Sequence, residues 1–425
     1  MNVTVIGLGY IGLPTAALLA EGGHQVMGFD ADPMRREEFK RGLVSTGEDT
    51  VKELAERALR SGKLCIVDAL LSSDAYILCV PTPTVDGKPV LSHVEDAACA
   101  VAAVAPQGAM IVLESTVPPG TTERILINAL RRHAKAPGDF RLAHCPERVL
   151  PGAIVKELRT NARVIGGRTP EDASIVRDLY ASFCQGEMQL TSMVAAEFVK
   201  VIENTYRDVN IAFANELSIL AEEVGVDVWE SIALANRHPR VQILTPGPGV
   251  GGHCIPVDPY FLSNANPFVT ELIQSARRVN ERMPHRVVRR ICDLVPFDAI
   301  APKIALLGAA YKADVDDARE SPCERIDLLL RERGYVTAIY DPLVRRFAQP
   351  LCASAEEAVA GADAVVLVTA HSSFRELDPA VLGPLMRSRF LVDTRRFFDE
   401  GRWRQCGFDT YVLGRPFHAG ATALA

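Results

Sequence analysis

Short, continuous runs of Val, Ile, Leu and Ala recur through the first 190 residues: "NVTVIGLG", "HQVMGFD", "AYILCVPTP", "AMIVLEST", "FRLAHCPE" and "ARVIGG". Runs of this length, separated by amphipathic helical stretches, predict strands of a parallel sheet covered on both faces. From about Ser192 to Val224 the periodicity turns helical without an obvious breaker. A continuous helix of about 30 residues spans on the order of 45 Å, enough to join two domains and to offer a surface to a partner subunit. After a glycine-rich segment and another helical stretch near 269–293, strand–helix alternation resumes in "KIALLGAAYK", "YVTAIYDP", "AVVLVTA" and "RFLVDTR". The pattern predicts an α/β fold: two Rossmann-like, doubly wound parallel-sheet domains joined by a long central helix. The expected division is 1–190, 191–298 and 299–425, with the third part opening on a loose echo of the first strand.

Length agrees with more than one core, since 425 residues exceed what a single one usually serves. A net charge of −7 argues against a general nucleic-acid or membrane-surface binder, while leaving room for a local basic pocket. The opening "MNVTVIGLGYIGLP" reads as a buried strand rather than a leader, and no apolar run approaches the roughly 18 residues of a membrane span. The ten cysteines are scattered without CxxC pairs or metal-finger spacing. The expectation is a cytoplasmic protein with reduced thiols and no metal.

"VTVIGLGYIGLP" supplies Gly7, Gly9 and Gly12 directly after a strand and at the opening of a helix. One glycine makes the turn, the next lets the backbone approach a pyrophosphate, and the helix N-terminus faces the anion. The second strand ends at Asp30, the distance expected of an acid that binds a ribose hydroxyl. Asp30 has no adjacent arginine or serine to hold a 2′-phosphate, which favours NAD over NADP. Thr82 in "CVPTPT" and Thr116 in "EST" follow later strands, at the carboxyl ends where such sheets bind ligands, although ordinary turn chemistry accounts for them equally.

The candidate chemistry lies further on. "GPGVGGHCIPVDP" (247–259) crowds glycines around Cys254, with Asp258 four residues later. Lys200 and Asn204 share one helical face, where a cation and an amide can hold an oxyanion. Glu147 in "HCPERVLPG" follows a strand, placed to act on water. Each has a plain alternative: a small buried thiol, a solvated lysine, a capping acid. In combination they suit a nicotinamide enzyme in which a thiolate captures the aldehyde made by a first oxidation. A second hydride transfer then gives a thioester, and water releases the acid, two NAD having been used. A two-electron dehydrogenase of the 6-phosphogluconate type, with Cys254 structural, is the competing possibility.

Together these motifs resemble the UDP-glucose/GDP-mannose dehydrogenase superfamily over nearly the whole chain. The resemblance runs from "GLGYIGLP" through "VPTP", "EST", "CPER" and "GGHCIPVD" to "YKADVDDARESP" (311–322) and "VDTRRFFD" (392–399). It implies four-electron oxidation at C6 of a UDP-sugar, with Cys254 as nucleophile. Lys200, Asn204 and Asp258 would stabilise oxyanions and activate water, and Thr116 and Glu147 would position water and exchange protons. NAD would meet Gly7, Gly9, Tyr10, Ile11, Gly12, Asp30, Thr82, Thr116 and Lys312. The sugar nucleotide would meet Glu147, Arg148, Val149, Lys200, Asn204 and Gly251, then Tyr311, Lys312 and Arg395.

Within the superfamily, "YRDVNIAFANELS" (206–218) and "LANRHPRVQIL" (234–244) resemble the branch acting on UDP-N-acetyl-D-mannosamine, with UDP-N-acetyl-D-glucosamine as the alternative substrate. Pro151 and Val257 stand where the UDP-glucose branch carries a glutamate and a lysine. The resemblance also implies a homodimer in which an arginine crosses to the partner's substrate. Arg237, His238 and Arg240 mark that segment, which is otherwise a solvated basic loop.

Overall fold

The computed structural model describes residues 1–416 except 45, 47, 135–139, 150, 151, 296 and 298–300. Pro151 and the expected boundary at 298–299 therefore lie outside the described residues. The chain forms two compact units, Met1–Glu203 with Tyr260–Val269, and Asn204–Pro259 with the chain from Thr270 onward.

The first unit opens with β1 (Asn2–Ile6), α1 (Gly12–Glu21), β2 (Gln25–Phe29), α2 (Pro33–Lys40), α3 (Asp49–Arg60), β3 (Leu64–Ile66) and β4 (Ala75–Leu78). A hairpin, β5 (Thr84–Val85) and β6 (Lys88–Pro89), precedes α4 (Ser92–Ala102), β7 (Met110–Leu113), α5 (Thr121–His133) and β8 (Arg141–His144). Then come α6 (Ile154–Thr160), β9 (Arg163–Gly167), α7 (Pro170–Tyr180), β10 (Met188–Ser192) and the first turns of α8 (Met193–Val224).

Eight strands make one sheet in the order β10-β9-β8-β7-β4-β1-β2-β3. Val3 and Val5 of β1 face a core built with α1, α3 and α7, while Ile6 faces a second core under α4 and α5, so both faces are covered. The sequence signals six of these strands. The two it does not signal, β3 and β10, are the sheet's edges, where half-wet residues such as "MQLTS" need no apolar run. The sheet also departs from all-parallel order, because β9 pairs with β8 antiparallel. The seven-residue α6 packs on α1 and α3 instead of running back along β8. The chain thus enters β9 from the carboxyl end of β8.

The second unit contains the rest of α8, α9 (Val228–Ala235), the first residues of α10 (Asp258–Ala265) and α11 (Glu271–Leu294). It continues with β11 (Lys303–Leu307), α12 (Pro322–Arg331), β12 (Val336–Tyr340), β13 (Ala364–Leu367), β14 (Phe390–Asp393) and β15 (Asp409–Val412). The five strands are parallel, in the order β12-β11-β13-β14-β15. Again the strand absent from the sequence signals, β15, is an edge. Helix starts follow local chemistry: Asp32, Thr169 and Ser321 accept from the first free N–H groups of α2, α7 and α12, and a proline occupies the next position.

Helix α8 inverts the usual amphipathic order. Glu197, Lys200, Asn204, Asp208, Asn215 and Ser218 are buried, whereas Tyr206, Phe213, Leu220 and Val224 are at least half exposed. Among the described residues no helix is long and apolar enough to cross a membrane.

Candidate functional site

The nucleotide end of the first unit is built where β1 hands over to α1. Gly7 adopts φ +86°, and a Cβ there would lie 2.5 Å from the Cys79 carbonyl oxygen, so no other residue fits. A Cβ on Gly9 would meet nothing within 4 Å, leaving open space beside the helix N-terminus from which an anion can reach the backbone. Tyr10 donates its hydroxyl to Glu48 at 3.1 Å, and Ile11 and Gly12 lead into α1. Thr82 and Thr116 are half-buried in the loops after β4 and β7, adjacent strands beside β1.

Asp30, at the end of β2, is nearly buried. One carboxylate oxygen accepts from Leu8 N at 2.8 Å and the other from Asp32 N at 3.0 Å. Arg35 places its guanidinium 3.5 Å from that carboxylate. This corrects the expectation that no arginine neighbours Asp30: the first turn of α2 folds the arginine back beside it. Asp32, which caps α2 through Met34 N, was the signal for that turn. An open glycine cradle, a helix N-terminus and a carboxylate at the ribose position fit a dinucleotide.

A second cluster of the same unit surrounds the start of α8. Lys200 Nζ donates to Glu147 Oε1 at 3.1 Å, with both side chains mostly buried, and Glu147 Oε2 accepts from Val149 N at 2.9 Å. Glu197, one turn earlier, accepts from Gly120 N and Thr122 N, tying α8 to the start of α5 just beyond the Thr116 loop. His144 is fully enclosed beside this group. Burial, aided by the charge of Lys200, pushes it down to about 3, so the imidazole is neutral. Arg148 is turned elsewhere, donating to Glu203 at 3.0 Å and to the Ala162 carbonyl at 2.9 Å.

The second unit carries the thiol. Val257 N and Asp258 N both donate to the Cys254 carbonyl, at 3.0 and 2.8 Å, so the segment coils and opens α10 at Asp258. Asn204 Nδ2 donates to Asp258 Oδ2 at 2.5 Å, and Arg207 donates to Asn204 Oδ1 at 2.7 Å. Cys254 is half-buried and in no disulfide. The glycines before it approach the protein itself. A Cβ on Gly251 would fall 2.6 Å from the Glu320 carbonyl oxygen and 2.8 Å from Tyr311 Cβ, and one on Gly252 would fall 2.9 Å from the Tyr311 ring. Burial, with Asp317 and Cys254 nearby, pushes the Tyr311 phenol up to about 12.

Gly247 lies against the Arg395 guanidinium, and its N–H donates to Asn215 Oδ1 at 2.8 Å. Burial lowers Arg395 to about 10, which leaves it charged at neutral pH. Lys312 is exposed, as are Arg237, His238 and Arg240 beyond the end of α9. Arg207 and Asn215 belong to no catalytic motif in the sequence. Their signal was helical spacing from Asn204, three residues and three turns away on the same face.

The sequence matches the profiles of the UDP-glucose/GDP-mannose dehydrogenase family in three parts. The NAD binding domain matches residues 1–184, the central domain 194–282 and the UDP binding domain 305–400. It is similar to UDP-N-acetyl-D-mannosamine dehydrogenase of Methanocaldococcus jannaschii, 42% identical over 97% of this chain and 96% of that protein. It is also 42% identical to NDP-N-acetyl-D-galactosaminuronic acid dehydrogenase of Ralstonia nicotianae, over 94% of this chain and 97% of that one. The structure of UDP-D-ManNAc dehydrogenase from Pyrococcus horikoshii superposes with a TM-score of 0.91 at 40% identity, covering 98% of this chain and all of that one.

Proposed function

This chain belongs to the UDP-glucose/GDP-mannose dehydrogenase family as an NAD-dependent UDP-sugar dehydrogenase, and on that premise we propose that it oxidises C6 of UDP-N-acetyl-D-mannosamine to the uronate. The likeness to UDP-N-acetyl-D-mannosamine dehydrogenases supports the substrate, and the backbone turn that sets Asp258, held by Asn204, just after Cys254 supports the covalent route.

Bound NAD supplies the hydride acceptor for each of two two-electron oxidations. In the proposed sequence Lys200, oriented by Glu147, stabilises the C6 alkoxide as the alcohol proton passes to water, and loss of the first hydride from C6 leaves the aldehyde. The Cys254 thiolate adds to the aldehyde carbon, and the resulting thiohemiacetal loses the second hydride to become a thioester. Asp258, held by Asn204, orients a water whose oxygen joins the acyl carbon. The C–S bond breaks, the thiol is regained and the carboxylate departs. Gly251, Tyr311, Lys312 and Arg395 serve the UDP moiety, the two cations offsetting phosphate charge.

The three expected segments then have separate tasks: 1–190 for NAD, 191–298 for the thiol loop and dimer contact, and 299–425 for UDP. A homodimer is supported by Tyr206, Phe213, Leu220 and Val224, which line one face of α8 and stand at least half exposed. Arg237, His238 and Arg240 are the groups available to reach a partner's substrate.

The test is NADH release with UDP-N-acetyl-D-mannosamine, UDP-N-acetyl-D-glucosamine, UDP-N-acetyl-D-galactosamine and UDP-glucose. Two NADH per uronate are expected with the first. The similarity to a galactosaminuronic acid dehydrogenase favours an N-acetyl-galactosamine substrate as the second reading, and the same panel separates them. Formation of the uronate by Cys254→Ala at the wild-type rate would overturn the covalent route.

A further inference from the structure

Asp341 and His371 form an Asp–His pair that the chemistry above leaves unused. His371 Nε2 lies 2.9 Å from Asp341 Oδ2, and both side chains are essentially inaccessible to solvent. Such a pair suggests a general base, but its hydrogen bonds rule that out. The backbone N–H of Asp314 donates to His371 Nδ1 at 3.0 Å, and an N–H can only donate. The ring proton is therefore on Nε2 and directed at Asp341. Both nitrogens are engaged away from solvent, and no proton can be passed on.

What the pair does hold is one stretch of backbone. β11 lies between β12 and β13, so the chain leaving β11 passes between Asp341, just beyond β12, and Thr369 and His371, beyond β13. Asp341 Oδ2 accepts from Ala309 N at 2.7 Å and Ala310 N at 2.9 Å. Thr369 Oγ1 donates to the Ala310 carbonyl at 2.6 Å, and His371 takes Asp314. Asp314 adopts φ +60°, a conformation that costs an aspartate energy unless the surroundings enforce it. Its carboxylate accepts from Ser372 N at 2.8 Å and Ser372 Oγ at 2.7 Å, beside the histidine. Tyr311 and Lys312 lie between the two anchored ends. Beyond them Gly252 N donates to the Arg319 carbonyl at 3.0 Å, two residues before Cys254.

We propose that His371, paired with Asp341, is a positioning residue: it anchors the far end of the 309–314 segment, sets Tyr311 and Lys312 for the UDP moiety and supports the backbone ahead of Cys254. This rests on the assignment of UDP to Tyr311 and Lys312 made above.

Two conservative amides test it in the full-length protein. Asn superposes its amide near the Nδ1 position and can accept from Asp314. Gln reaches the Nε2 position, donating to Asp341 while leaving Asp314 without its acceptor. His371→Gln is expected to weaken UDP binding, measured by calorimetry, and to raise KM for the UDP-sugar by about tenfold, the scale of a displaced contact group. Amide exchange should quicken across 309–319. His371→Asn should stay near wild type. UDP affinity within twofold of wild type for both variants, or a greater loss in His371→Asn, overturns the proposal even if both melt at lower temperature. A wild-type protein that does not bind UDP would instead sink the functional assignment. Unchanged exchange across 309–319 in His371→Gln would then still overturn the anchoring role.

Discussion

Asn204 gives its side-chain amide to Asp258 at 2.5 Å, and Arg207 fixes which way that amide points by donating to its oxygen. The arrangement needs a neutral partner for the aspartate. Asn204→Asp would set two carboxylates at that separation, where one must hold a proton. Turnover is expected to fall at least about tenfold at pH 8 and to recover partly toward pH 6, against a flatter wild-type profile. A pH–rate profile of the variant parallel to wild type would show that Asp258 is not charged when it acts.

Arg35 stands on the edge of the nucleotide cradle, close enough to Asp30 to share a ribose or adenine contact. Arg35→Ala should raise the Kd for NAD by about tenfold, the scale of a charge-assisted contact. UDP affinity should remain unchanged, because the arginine belongs to the other unit. Calorimetric titration with each ligand separates the outcomes, and a matched loss of both would mean that the variant perturbs the fold.

His144 ties stability to acid. Its folded pKa of about 3 lies below the ordinary 6.5, so between those values the unfolded chain takes up a proton that the native protein refuses. Stability therefore rises with pH through that window and falls as pH drops below about 6.5, at about 1.4 kcal/mol per pH unit for one proton. Thr122 Oγ1 lies 3.2 Å from His144 Nδ1, and His144→Asn can keep that contact but removes the titration. Its urea midpoint should depend less steeply on pH between 4 and 6.

The exposed line on α8 makes an oligomer testable. Phe213→Glu places a charge in the middle of Tyr206, Phe213, Leu220 and Val224. If these residues meet a second copy, sedimentation should show monomer where wild type is a dimer, with turnover lost alongside. A variant that sediments and turns over as wild type would leave that face without a partner role.

Much of this was legible in the sequence, and what was not has a physical pattern. Central strands such as β4 and β7 are buried on both faces and announce themselves as apolar runs, whereas the edge strands β3, β10 and β15 do not. The antiparallel turn into β9 is a tertiary outcome of where α6 packs, which no local propensity records. At the site, glycine spacing, the cysteine and the Lys200–Asn204 repeat stood out because each breaks a local expectation. Arg35, Arg207 and His371 did not. Each acts through a neighbour that only folding supplies, and His371 meets Asp341 across 30 residues.

The tight fit of Gly251 and Gly252 against Tyr311 and Glu320 bears on how this enzyme could be remade. A loop whose back is already moulded to its own protein has no slack from which new substrate scope can be drawn. Bulk added at either glycine would travel forward as a shift of the thiol, not as a reshaped pocket. Tyr311 and its support are then the adjustable parts, and a smaller side chain there is the permissive first change before any glycine is touched.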